Sequence, residues 1–148
     1  MTAEPLPDWF YPPPGGWTAD DMDRLPAAAP RLELLDGALI MVPPQSSFHS
    51  RVMMRLWQAL DSAAPTGVSV EIVSEESEER DRKTKPQRYA EAGIQHFWRI
   101  EKETGLPVIH VFELEQATGS YVPTGIVRDR LKLDVPFPLD IDVKALSR

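Results

Sequence analysis

The sequence predicts an α/β domain with a mixed central sheet flanked by helices and preceded by a β-hairpin. Three observations carry that expectation. Short β-branched or apolar runs alternate with helical patterns along the chain. Asp36-Gly37 lies between two such runs, a strong two-residue hairpin signal. From Val70 to Trp98 a strand pattern, a compact helix closed by Gly93 and a second strand follow one another. At 148 residues the chain suits one domain with a single sizeable core. Residues 1–17 are expected to form an arm and 18–148 the domain itself.

Within the arm, Pro5, Pro7 and the run from Pro12 to Gly16 fix φ and withhold amide donors, which predicts extended chain rather than helix. Trp9, Phe10, Tyr11 and Trp17 are too apolar for a free tail, so the arm should pack on its own core or on a second subunit. Thr18 and Asp21 form a T-x-x-D capping pattern for a short helix ended by Pro26. Leu32–Leu35 and Ala38–Val42 are the hairpin strands, stopped by Pro43-Pro44. Ser46 or Ser47 caps a helix in which Val52, Leu56, Ala59 and Leu60 recur on one face, ended by Pro65 and Gly67.

Val68–Val73 reads as a buried strand with Glu71 at its centre. A charged turn follows, and Thr84 is the expected cap of a helix from Lys85 to Ala92, with Pro86 harmless in its first turn. Phe97–Ile100 and Val108–Leu114 are the next strands, joined by a polar turn from Glu101 to Pro107. Tyr121-Val122 and Leu131–Val135 are weaker strands, and the alternating tail FPLDIDVKAL is expected to close a sheet edge. Trp57, Phe97, Trp98 and Tyr89 fall at core periodicities and are read as packing residues.

The composition narrows the chemistry. With no cysteine, disulfides, thiolate zinc sites and cysteine nucleophiles are excluded. His49, His96 and His110 lack ligand spacing, so any metal would be a hard cation held by carboxylate oxygens. A net charge of −7 argues against a broad basic surface for nucleic acid, although Arg80, Arg82, Lys83, Lys85 and Arg88 could line a local groove. No apolar run approaches bilayer length, no membrane partner is expected, and the acidic, proline-bearing N-terminus is unlike a secretory signal; the expected location is cytoplasmic.

Individual residues admit a plain reading beside a functional one. Glu71 is either a strand acid paired with an arginine or a rigidly held ligand. Lys85 is either a solvated helix lysine or an ammonium serving that strand. Asp81 reads as a turn or charge-pairing residue. Glu33, between Leu32 and Leu34, either faces solvent or points into a site, and His49 reads as a local hydrogen-bonding group early in its helix. The run Glu75, Glu76, Glu78, Glu79 reads as hydrated charge rather than a metal cage.

With RLELLDGALIMVPPQSSFHS in front and EIVS…DRKTKPQRYAEAGIQHFW behind, the chain resembles the Uma2 family, restriction-endonuclease-like proteins of the PD-(D/E)xK nuclease superfamily. The likeness runs from about Thr18 to the C-terminus. It implies a restriction-endonuclease-like sheet and metal-dependent cleavage of DNA with Mg2+ or Mn2+. Carried across by position, Glu71 is the metal-binding acid and Lys85 the lysine, which in such proteins stands on the following helix; position 73, its usual place, is Val. Glu33, His49 and Asp81 match further positions that support the site. A homodimer is the expected assembly, since cutting two strands favours two sites. The family's Pro-Asp strand has no counterpart here, which leads to the expectation of a segment missing near residues 67–71 that would supply the second acid. The alternative is a catalytically inactive nuclease-fold protein acting as a binding or assembly module, which the acidic charge and the absent Pro-Asp favour.

Overall fold

A computed structural model describes residues 5–60 and 67–148. It divides into two compact units, 1–44 and 45–148.

The N-terminal unit is a hairpin carrying the arm. Strands β1 (Leu32–Leu35) and β2 (Ala38–Met41) pair antiparallel around Asp36 (φ 50°) and Gly37 (φ 79°), the left-handed pair that a tight two-residue hairpin requires. Helix α1 (Ala19–Met22) starts as expected, with Asp21 accepting from the Thr18 amide at 2.9 Å and its hydroxyl at 2.6 Å. The arm is not wholly extended, since Asp8–Phe10 forms one 3-10 turn. Trp17 donates to the Gly37 carbonyl at 2.8 Å, and a Cβ at Gly16 would stand 2.9 Å from that oxygen, so this crossing needs a glycine.

The larger unit is built on a four-stranded mixed sheet, β3 (Val68–Ile72), β4 (His96–Glu103), β5 (Leu106–Glu115) and β6 (Ser120–Val127), paired in that order. The first pair is parallel and the other two antiparallel. Period-2 alternation divides its residues between two faces. Trp98, Ile100, Ile109 and Val111 point into the main core, with half-buried Val68, Val70 and Ile72 beside them. Helix α2 (Ser47–Leu60) covers that face through Phe48, Val52 and Leu56, and Ser46 caps it by accepting from the His49 amide at 3.2 Å. The opposite face carries Glu71, Phe97, Arg99, Glu101, His110 and Phe112, and helix α3 (Lys85–Glu91) lies along this side.

Several expectations need correction. Val68–Ile72 is an edge strand, half-buried throughout rather than buried. The polar 101–107 turn shrinks to Thr104-Gly105, both at positive φ, while Glu101 belongs to β4 and is buried. The C-terminal stretch does not close the central sheet: β8 (Leu139–Asp142) pairs with β7 (Arg130–Leu133) in a two-stranded sheet of its own. Trp57 is 68% exposed and is no core residue, because Val52 and Leu56 claim the buried stripe of α2. The helix end expected at Pro65 lies outside the described residues. Strand β3 pairs with β4 residue by residue from Val68 to Ile72 without a break.

The charged turn is also helical. Helical chain begins at Glu78, passes through a π turn at Arg80–Thr84 and continues into α3, so Thr84 is an interior position and makes no cap. Proline inside a helix lacks an amide and clashes with the carbonyl one turn back. The wider π turn, in which the Lys85 amide reaches back to the Arg80 carbonyl, falls just where Pro86 needs that relief.

Candidate active site

Asp81, Lys85 and Tyr89 recur every four residues, the spacing that aligns side chains on one helical face. That face meets Glu71 on β3. Lys85 Nζ stands 3.1 Å from Glu71 Oε2 and 2.9 Å from Asp81 Oδ1, so one ammonium bridges two carboxylates. Tyr89 donates a short hydrogen bond to Glu71 Oε1. Ser77 donates to Asp81 Oδ2 and belongs to a reciprocal Ser74–Ser77 loop that leads into the helix. The cluster is withdrawn from water: side-chain exposure is 1% for Asp81, 13% for Lys85 and 17% for Glu71.

Burial dominates the electrostatics. It raises the Glu71 carboxyl above the ordinary glutamate value, with Asp81 adding to the rise, against the lowering effects of the Tyr89 hydrogen bond and the Lys85 charge. Burial and the neighbouring Glu71 also raise the Tyr89 phenol well above its usual range, so it stays a hydrogen-bond donor at any neutral pH. The Asp81 Oδ1 atom, buried and within ionic contact of Lys85, makes no aligned hydrogen bond.

A second charged group lies farther along the same face. Glu101 accepts from Arg99 Nε at 2.6 Å and Arg82 Nε at 3.1 Å. Its own burial would raise its pKa, but the Arg82 hydrogen bond and the Arg99 charge lower it on balance. Glu76, Glu78 and Glu79 pair with Arg80, Arg82 and Lys83 at i,i+4.

The model of the Uma2 family, described as "Putative restriction endonuclease", matches residues 63–145, more than half the chain. The chain belongs to the Uma2 family. No curated protein matches it. The Uma2 match spans β3, the π turn and α3, hence all the residues of the Glu71 cluster.

Of the residues singled out in the sequence, the fold brings together Glu71, Lys85 and Asp81. His49 sits at the start of α2, the helix covering the other face of the sheet, and Glu33 belongs to the separate N-terminal unit. Tyr89 and Ser77 complete the cluster and were not anticipated there. The signal for Tyr89 was present, since it continues the four-residue spacing of Asp81 and Lys85. Ser77 gave no comparable signal.

Restriction-endonuclease-like families commonly use a divalent cation, and the cluster offers donors of the type such an ion takes. Two carboxylates supply hard oxygen ligands, one with an oxygen outside any aligned hydrogen bond. Among the described residues, no group of three or more His, Asp or Glu is arranged to hold a metal. Also among the described residues, no helix is long and apolar enough to cross a membrane.

Proposed function

We propose that this Uma2 chain is an endonuclease that hydrolyses phosphodiester bonds of DNA with Mg2+ or Mn2+. The observation that carries this reading is a single ammonium held between a strand carboxylate and a helix carboxylate inside the region the family model matches. Glu71 and Asp81 would hold the cation, which binds commonly through one or two carboxylates plus water and substrate phosphate. When bound it lowers the pKa of the attacking water and neutralises phosphate charge. Lys85 places a positive charge where the transferring phosphoryl group gains negative charge. Tyr89 acts through Glu71, fixing its rotamer by hydrogen bonding one oxygen and leaving the other toward Lys85. A homodimer would present two such sites to the two strands of a duplex.

The same burial favours a second reading. A lysine neutralising two shielded carboxylates is also how a helix is clamped to a strand, and in that case the chain is a catalytically inactive binding or assembly module. Plasmid cleavage by the full chain in Mg2+ or Mn2+ separates the two. The nuclease reading expects cleavage abolished by EDTA and reduced at least about 100-fold in both Glu71→Ala and Lys85→Ala. A folded wild-type protein inert with either metal rejects it in favour of the clamp.

A further inference from the structure

Two surfaces of the chain lack cover, and they are opposite in charge. The first belongs to the N-terminal unit. No residue from 5 to 44 is buried, although this stretch holds Trp9, Phe10, Trp17 and the paired strands β1 and β2. A two-stranded hairpin on its own is at best marginally stable in water. The arm and the hairpin leave a pocket of about 310 Å³, lined mainly by Trp9, Phe10, Trp17, Leu32, Leu39 and Met41. Asp8, next to Trp9, and Asp36, next to Gly37 in the lining, are both exposed. Residues 1–44 hold seven of the 23 acids but only two of the 16 lysines and arginines, so under a third of the chain carries most of its negative charge. The second surface is the outer side of α2. Met53, Met54 and Trp57 are exposed there, at the three- and four-residue spacings that make neighbours on a helix. Arg51 and Arg55, one turn apart, run alongside, and neither meets a partner among the described residues. From Ser47 to Leu60 the helix has no acid, on a chain of net charge −7.

We infer that the N-terminal unit of one copy of this chain seats on the outer side of α2 of a second copy, and the reverse, in a two-fold dimer. Charge decides the pairing. Two α2 helices facing each other would bring four unpaired guanidinium groups together, and two N-terminal units would set acid against acid. The crossed pairing instead puts arginine against aspartate and covers apolar side chains on both sides. Rings such as those of Trp9 and Trp17 also receive a guanidinium on their faces. Two-fold symmetry forms the contact twice, and once one arm is seated the second binds within the same complex. Nucleic acid and anionic lipid are poorer matches for α2, since two arginines neutralise few phosphates. The inference does not rest on the nuclease reading; it assigns the surfaces through which a pair of chains would form.

The test is sedimentation equilibrium of the full chain followed by disulfide trapping, for which a sequence without cysteine is a clean background. At micromolar concentration and low salt the chain is expected to show twice its 16.7 kDa mass. Trp57→Ser and the double variant Arg51→Glu/Arg55→Glu alter exposed side chains of one surface, and Phe10→Ser alters one of the other. Each should weaken the dimer at least about tenfold while the circular dichroism stays that of wild type. Tyr11→Cys and Gln58→Cys place one exposed thiol on each surface. Chains of the two kinds, mixed under mild oxidation, should crosslink about tenfold faster than either kind alone. A chain carrying both thiols that closes its disulfide within a monomer would assign the arm to its own helix and overturn the inference. Faster crosslinking within one kind than between the two would overturn it as well, by pairing like surfaces. The same holds for a chain that is monomeric at every concentration, or a dimer indifferent to all three changes.

Discussion

Replacing Lys85 by methionine keeps the unbranched stem of the side chain and removes the charge that Glu71 and Asp81 share. Asp81 is 1% exposed and lies on the inner side of its helix, so its carboxylate would be left with the Ser77 hydroxyl and no cation. Removing one partner from a buried ion pair costs about 3–5 kcal/mol. Glu71, 17% exposed, can recover some hydration, which puts Lys85→Met near the lower end, about 3 kcal/mol. For a chain of this length that corresponds to a loss of about 6–12 °C in melting temperature. The measurement is thermal unfolding followed by circular dichroism, for Lys85→Met, Asp81→Asn and the double variant. Because the penalty belongs to the unpaired carboxylate, Asp81→Asn in the Lys85→Met background should recover much of the loss, with a coupling of about 1–3 kcal/mol. Adding Mg2+ should also stabilise Lys85→Met more than wild type, since a cation that binds only the folded form raises its stability by mass action. A melting temperature within about 2 °C of wild type, or a double variant worse than the sum of the singles, would refute the claim that this ammonium neutralises two shielded acids.

Three other outcomes follow from the same geometry. Tyr89→Phe removes the hydroxyl that Glu71 accepts, and should cost about 1.5 kcal/mol in urea unfolding while raising the Glu71 carboxyl further, read by carboxyl carbon NMR. Glu101 has a lowered pKa in the folded protein, so its contribution is present above its ordinary value of 4.5 and lost as pH falls through the folded value; Glu101→Gln should flatten the acid limb of a stability–pH profile. On α2, Leu56→Ala should cost about 2–4 kcal/mol because the side chain is 4% exposed, whereas Trp57→Ala, at 68% exposure, should stay within about 0.5 kcal/mol.

The elements that could be read from the sequence were those with local causes. Asp36-Gly37 forces its hairpin, Thr18 and Asp21 cap their helix, and Ser46 caps α2, all through groups within a few residues of one another. Glu71 and Lys85 were legible through their resemblance to family positions, and the structure puts them in contact. What was illegible depended on tertiary competition. The π turn has no periodic signature, so Asp81 read as a turn or charge-pairing residue; it does pair with Lys85, but from inside a helix and as the most deeply buried acid of the cluster. Glu101, polar and near a glycine turn, was placed in that turn because its two arginine partners lie 19 residues upstream and on its own strand. Trp57 looked like core because periodicity gives a stripe but not its width.

The position of Asp81 bears on the second acid. A missing Pro-Asp strand seemed to leave Glu71 alone, and a segment lost near residues 67–71 was the expected source of a partner. An aspartate already present in the chain reaches the same ammonium from the helical side. Two carboxylates and one ammonium leave the cluster with one net negative charge, on a chain that itself carries −7. A phosphodiester approaching that cluster would be repelled. One divalent cation reverses the local sign, and the attraction then operates in a partly dry site where charges are weakly screened. In the proposed nuclease, then, the metal is required for substrate approach as well as for hydrolysis. Duplex DNA should bind this cluster only with a divalent ion, and Glu71→Gln, which lowers the repulsion but weakens the cation site, should bind DNA better than wild type in EDTA and worse in Mg2+. A variant that binds worse than wild type in both conditions would remove the electrostatic basis of this account.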